Sequence, residues 1–121
     1  MEKENERFRL DELNEDLLVL LATPIYTLGA YTIDVQKKLL TLNSESIRLT
    51  KKELYLLIYF AANISTSMIR KDILNTIWKV DTYSNSRSLD VYVCKIRKLL
   101  SKDSNIVIVN IHSKGYRIIV D

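Results

Sequence analysis

Four cations, Arg87, Lys95, Lys98 and Lys102, fall on one side of a stretch with helical spacing, and this is where the sequence carries its chemistry. Projected at about 100° per residue, residues 86–102 place Leu89, Val93, Ile96 and Leu100 on one line, with Tyr92 and Leu99 beside it. That stripe is fit for burial. The opposite side collects the four cations with Val91 and Cys94 and holds no acid. Asp90 and Arg97 share one flank, where Asp90 is expected to orient Arg97. Lysine and arginine on an exposed helix neutralise phosphates, releasing counterions, and can donate to guanine O6 and N7. A small apolar residue such as Val91 can touch a thymine methyl. A solvated cationic surface is the other reading of the same residues.

The chain end supports the first reading. Residues 106–111 and 116–120 are β-branched runs joined by His112, Ser113, Lys114 and Gly115, with Gly115 expected to supply a positive φ. Ser113 and Lys114 stand at the tip of this hairpin and Arg117 just inside its returning strand. Such groups reach phosphates or a minor groove, although a lone Lys114 also serves simply to keep a turn soluble.

These residues need a scaffold, and the preceding sequence describes one. Short runs rich in Ile, Tyr, Thr and Leu at 25–28, 31–34, 39–42 and 47–49 are separated by turn-forming residues, which predicts an antiparallel meander. Thr50 and Glu53 form a capping-box pair that opens a helix, continued by Leu54, Leu57, Ile58 and Ala61 to about residue 63. A second helix is expected over 69–78, capped by Ser67, with Ile69, Ile73, Leu74 and Ile77 facing inward. A third is expected over 86–100. The fold class is therefore α+β: an N-terminal four-stranded antiparallel sheet, three helices and a C-terminal β-hairpin wing, a winged helix-turn-helix layout. Trp78 and the tyrosines at 31, 55, 59, 92 and 116 sit at spacings that favour packing over base stacking.

Residues 1–24 read as an acidic tail or linker apart from a domain at 25–121. Residues 1–23 hold seven acids against three bases, and the remainder eight against fifteen. The net charge of +3 thus hides a basic main body, which points to a polyanionic partner. Within the tail, leucines between 10 and 22 predict a short helix stopped before Pro24.

In several segments the chain resembles the C-terminal DNA-binding domain of OmpR/PhoB-family response regulators. The resemblance rests on Leu49-Thr50-Lys51-Lys52-Glu53, on Ile77-Trp78, and on Ser86-Arg87-Ser88-Leu89-Asp90-Val91-Tyr92-Val93 with Ile96-Arg97-Lys98. In the wing it rests on Ile111 and Gly115-Tyr116-Arg117. It covers residues 25–121. It implies a third helix lying in the major groove of promoter DNA, Arg87 on a phosphate, Lys95 reaching bases, Arg97 clamping the backbone and Lys114 near the minor groove. It further implies an RNA polymerase contact at Lys79, Val80, Asp81, Thr82, Tyr83, Ser84 and Asn85. Members usually act as dimers on direct repeats, so a monomer in isolation that dimerises on DNA is expected. Cys94 and Tyr92 depart from the arginine and histidine that relatives often carry, and His112 from an arginine. The family's receiver domain has no counterpart among these residues, so the chain is expected to be part of a longer two-component regulator.

Other classes fare worse. Acid–base or nucleophilic catalysis needs convergent groups, and the chain has one histidine, His112, and one cysteine, Cys94. Two such ligands do not make a structural zinc site, and two glycines do not make a phosphate-cradling loop. No enzyme, cofactor or metal is expected. The longest apolar runs fall short of the ~20 residues of a membrane span, and a single cysteine suits a reducing compartment, so the expected location is cytoplasmic. A winged-helix domain that binds protein instead of DNA is the alternative. It should display exposed aromatics or acids where this helix displays cations.

Overall fold

The computed structural model describes residues 14–121. Of the helix expected over 10–22, residues 10–13 lie outside the described part, as does the acidic start of the tail. Helix α1 covers Glu15–Leu21, capped by Asn14, whose side chain accepts from the Asp16 N–H at 2.7 Å. Leu17 is buried, the Tyr26 hydroxyl donates to the Leu20 carbonyl at 2.7 Å, and Asn14 donates to the Asn75 carbonyl at 3.3 Å. The helix is thus seated on the body of the protein.

Strands β1 (Ile25–Leu28), β2 (Tyr31–Asp34), β3 (Leu39–Leu42) and β4 (Glu45–Arg48) form the expected antiparallel meander. Ile33 lies opposite both Tyr26 and Leu40, and Leu40 opposite Ile47. Alternation puts Tyr31 and Ile33 on the buried face and Thr32 outside. β4 starts earlier than the residues 47–49 read from composition. Asn43 and Ser44 take φ of 50° and 70°, a two-residue turn with both centres left-handed, which pairs Leu42 with Glu45 directly.

Helix α2 (Lys51–Ala62) opens with the predicted capping box. The Glu53 N–H donates to Thr50 Oγ1 at 3.3 Å, and the Thr50 N–H to Glu53 Oε1 at 2.8 Å. It buries Leu54, Leu56, Leu57, Ile58 and Phe60. Fully burying one such side chain contributes about 1.5–3 kcal/mol, so this helix anchors the core.

The second helix differs from expectation. Met68–Ile69 is a short strand, β5, and α3 covers only Arg70–Ile73 before the chain widens into a π-helical turn at Leu74–Trp78. Pairing of Met68 with Tyr116 keeps this stretch extended. Ser67 therefore caps nothing and instead meets Arg117, and Ile69 is exposed rather than inward. The N–H of Arg70 donates to the Lys114 carbonyl at 2.8 Å, so the hairpin supplies what a capping side chain would.

Helix α4 spans Tyr83–Leu99, beginning three residues before the expected start because Thr82 caps it by accepting from the Asn85 N–H at 3.1 Å. The expected loop therefore shortens: Tyr83, Ser84 and Asn85 belong to the first helical turn. β6 (Ile106–Ile111) and β7 (Gly115–Val120) close the chain as an antiparallel hairpin, with β5 on its other side in the order β5-β7-β6. A shared core joins both sheets: Leu28, Ile33 and Leu40 from the first, Leu57 and Phe60 from α2, Leu89, Val93 and Ile96 from α4, and Ile108 and Ile118 from the second. Among the described residues no helix is long and apolar enough to cross a membrane.

Candidate nucleic-acid interface

Packing of α4 decides which of its residues face out. Leu89, Val93 and Ile96 are buried, with Leu100 just beyond the helix end, and Tyr92 and Leu99 are half-buried, as the projection predicts. Arg87, Val91, Cys94, Lys95, Lys98 and Arg97 are exposed, Val91 at 55%. Cys94 is a free surface thiol. Lys102 lies past the end of the helix, not on its face. Its N–H donates to the Tyr31 hydroxyl at 3.2 Å and its ammonium sits 3.5 Å from Glu45.

Asp90 does not orient Arg97. Its Oδ1 accepts from the Tyr116 hydroxyl at 2.6 Å and from Arg70 Nη2 at 2.8 Å. Arg97 lies along the outside of β6, donating to the Ile108 carbonyl at 3.0 Å and covering part of an otherwise open strand edge. The acid that α4 itself carries is therefore already matched by a cation, while Glu45 and Glu53 border the pocket that Lys95, Lys98 and Lys102 line.

Arg70 is the residue that sequence reasoning missed. Besides Asp90, its guanidinium donates to the Ser86 hydroxyl at 2.9 Å, the Ser86 carbonyl at 3.2 Å and the Tyr116 hydroxyl at 3.3 Å, and it stacks 5.4 Å from the Tyr116 ring. One side chain thus ties the start of α4, its middle and the wing together. No helical projection brings Arg70 to Asp90, because β5–β7 pairing does so.

At the hairpin tip Gly115 has the expected positive φ, 159°, and Ser113 adds a left-handed residue at 61°. Gly115 is required for a second reason: a Cβ there would clash with the carbonyl oxygen of Met68. Lys114 and His112 are exposed, and Arg117 is exposed with its guanidinium on the Ser67 hydroxyl. A cleft between the wing tip and the start of α4 is lined by Lys71, Tyr83, Ser86, Ser113 and Lys114. Lys71 is a further cation that the sequence reading passed over. Tyr83, 77% exposed, receives a hydrogen bond from Arg87 Nη1 at 3.2 Å, which steadies Arg87 on the outer face.

The loop before α4 is anchored from α2. Lys79, with φ of 73°, ends the π turn. Lys52 Nζ donates to the Ile77 carbonyl at 3.0 Å, satisfying an acceptor that the helix end leaves open. Burial, and next the charge of Lys79, lowers the Lys52 ammonium below its ordinary pKa.

Comparison with known proteins gives this arrangement its context. The family model described as "Transcriptional regulatory protein, C terminal" matches residues 44–118. The chain belongs to that family. The transcriptional regulatory protein RprY of Bacteroides fragilis is 43% identical over 95 residues, which are 78% of this chain and 40% of RprY. The chain accordingly spans less than half the length of the curated relatives it matches. Among solved structures, the response regulator DrrB of Thermotoga maritima, an OmpR/PhoB homolog, aligns with a TM-score of 0.66 at 28% identity, covering 80% of this chain and 45% of DrrB. The RstA DNA-binding domain of Klebsiella pneumoniae, solved in complex with the RstA box, aligns with a TM-score of 0.66 at 25% identity, covering 80% of this chain and 98% of that one. The winged-helix fold and OmpR/PhoB kinship expected from the sequence are thereby established. The family is one of transcriptional regulators, not of enzymes.

Proposed function

We propose that this chain is the DNA-binding output domain of a two-component response regulator and binds double-stranded promoter DNA sequence-specifically through α4. The observation that carries the reading is the outer strip of α4, where Arg87, Lys95 and Lys98 lie exposed beside Val91 while the nearby Asp90 is held by Arg70 and Tyr116. A basic helix face with matched acids suits a phosphate-lined groove. The RstA DNA-binding domain, solved in complex with the RstA box, supports the DNA-binding reading.

In this reading Arg87 and Lys98 hold phosphates, joined by the Arg97 N–H groups not spent on Ile108. Lys95 and Val91 read base edges, with Cys94 between them against the groove wall. Lys102 flanks the strip. Ser113, Lys114 and Arg117 bring the wing to the neighbouring backbone. Lys79, Val80, Asp81 and Thr82, continued by Tyr83, Ser84 and Asn85, form the RNA polymerase contact. Residues 1–24 link the domain at 25–121 to a receiver domain in the full-length, cytoplasmic regulator, with α1 as the docked end of that link. The isolated chain is a monomer, and two copies align on direct repeats spaced by about 10 bp.

Fluorescence anisotropy of the chain against a mixed-sequence duplex at several salt concentrations tests the reading. Micromolar binding that weakens steeply with salt is expected. No binding at low salt, with or without residues 1–13, would instead favour a winged helix that engages protein.

A further inference from the structure

Lys95 does not stand free on the outer face of α4. Its ammonium lies over the ring of Tyr92, 4.8 Å from the centroid. Trp78 meets Tyr92 edge-on, with centroids 5.9 Å apart and ring planes at 67°. Trp78 in turn carries the Lys52 ammonium on its own ring at 4.9 Å. Four side chains from α2, the π turn and α4 therefore alternate as cation, ring, ring and cation. An ammonium is drawn to the negative face of an aromatic ring, and two rings prefer this edge-to-face meeting. Three of the four are fixed: Trp78 and Tyr92 pack against the core, and Lys52 is tied to the Ile77 carbonyl. Lys95 alone sits at an open end.

We propose that Tyr92 is a positioning residue for sequence discrimination: its ring, braced by Trp78, holds the Lys95 ammonium at one place on α4 and so narrows the bases that Lys95 reaches. The proposal rests on the DNA-binding reading above. Lysine is a point charge on a flexible four-carbon stem with three rotatable donors. Left unguided, it settles on whichever phosphate or acceptor is nearest and discriminates little. An ammonium already ordered on a ring loses less freedom when it binds, and it approaches the groove from one direction. The brace passes through Trp78, which closes the π turn, so the direction is set by the core and not by α4 alone.

The test compares the wild-type chain with Tyr92→Phe, which keeps the ring, and Tyr92→Leu, which removes it. Each is made with and without Lys95→Ala. Affinities are measured by anisotropy for a duplex enriched from a random library by the wild-type chain and for an unselected mixed duplex. Tyr92→Leu is expected to lower the ratio of the two affinities about two- to fivefold, the size of an exposed cation–π contact. Tyr92→Phe should keep the ratio, and Tyr92→Leu should lower it no further once Lys95 is alanine. Equal weakening on both duplexes, or the same fall without Lys95, would overturn the proposal. Should Tyr92→Leu fail to fold, proton NMR of the wild-type chain decides. Lys95 ε-methylene protons shifted upfield by the ring support the proposal, and protons at their unstructured position overturn it. A wild-type chain that binds neither duplex sinks the DNA-binding reading and this proposal together. A wild-type chain that discriminates, beside a Tyr92→Leu variant that discriminates equally well, sinks the proposal alone.

Discussion

The hydroxyl of Tyr116 donates to Asp90 Oδ1 over 2.6 Å, joining the returning strand of the wing to the middle of α4. Arg70 completes the contact from the same carboxylate oxygen at 2.8 Å. Tyr116→Phe removes this bond and the longer one that the hydroxyl accepts from Arg70 at 3.3 Å, and leaves the carboxylate to Arg70 alone. A hydrogen bond to a charged acceptor contributes about 1.5–3 kcal/mol, but the Asp90 side chain is 53% exposed, and solvent screening reduces this to about 1 kcal/mol. For a chain of 121 residues that is a melting temperature lower by about 4 °C. A thermal melt within a degree of wild type would show that Arg70 alone suffices.

The same contact sets a pH dependence with two limbs. Burial pushes the Asp90 carboxyl up. The hydrogen bonds from Tyr116 and Arg70, with the charges of Arg70 and Arg87, outweigh it and hold the group below the usual carboxylate range. A carboxyl depressed in the folded state adds stability that is complete above its unfolded value, about 3.9, and is lost as pH falls through the folded one. Asp90→Asn should therefore flatten the acid limb of a melting-temperature profile below about pH 4. Tyr116 behaves oppositely. Burial, then the bond and charge of Asp90, raise it against the pull of Arg70. Its contribution is complete below about pH 10 and lost as pH climbs through the raised value. An acid limb unchanged in Asp90→Asn would remove this carboxyl from the linkage.

Asp90 also marks where sequence reading stops. A projection ranks only neighbours on one helix, so it offered Arg97 as the partner. Arg70 arrives from twenty residues upstream, through the pairing of Met68 with Tyr116. β5 is two residues long and has no period to detect, which is why Ile69 read as the start of a helix. Elements whose signals are local were legible: the Thr50–Glu53 box, the meander and the buried stripe of α4. Amphipathic spacing showed which cations face out. It could not show which are occupied, as Arg97 is by Ile108 and Lys102 by Glu45.

Gly115 offers a test of the wing's attachment. A Cβ at this position would clash with the Met68 carbonyl oxygen and crowd the Arg70 N–H, which bonds to Lys114. Backbone atoms cannot step aside as a flexible side chain can, so Gly115→Ala must push β5 from β7. Overpacking of this kind costs about 1–3 kcal/mol, read as a lower urea midpoint with an unchanged slope. Wild-type stability in Gly115→Ala would mean that β5 pairs too weakly to matter.

Arg97 and Lys98 are adjacent and both exposed, yet the structure assigns them different duties. Arg97 donates to the Ile108 carbonyl on the edge of β6, so Arg97→Ala should cost about 1 kcal/mol of stability through that bond. Lys98 makes no such side-chain contact among the described residues, and Lys98→Ala should leave stability within about 0.5 kcal/mol of wild type. On DNA the expectation for Lys98 is sharper. Removing one phosphate contact should reduce the slope of log affinity against log salt by about 0.9, equally on specific and random duplexes. Arg97→Ala should move both quantities, stability and slope, if its remaining N–H groups meet a phosphate. A lowered melting temperature with an untouched salt slope would make Arg97 a strut for the wing and leave Lys98 to hold the backbone at that end of α4.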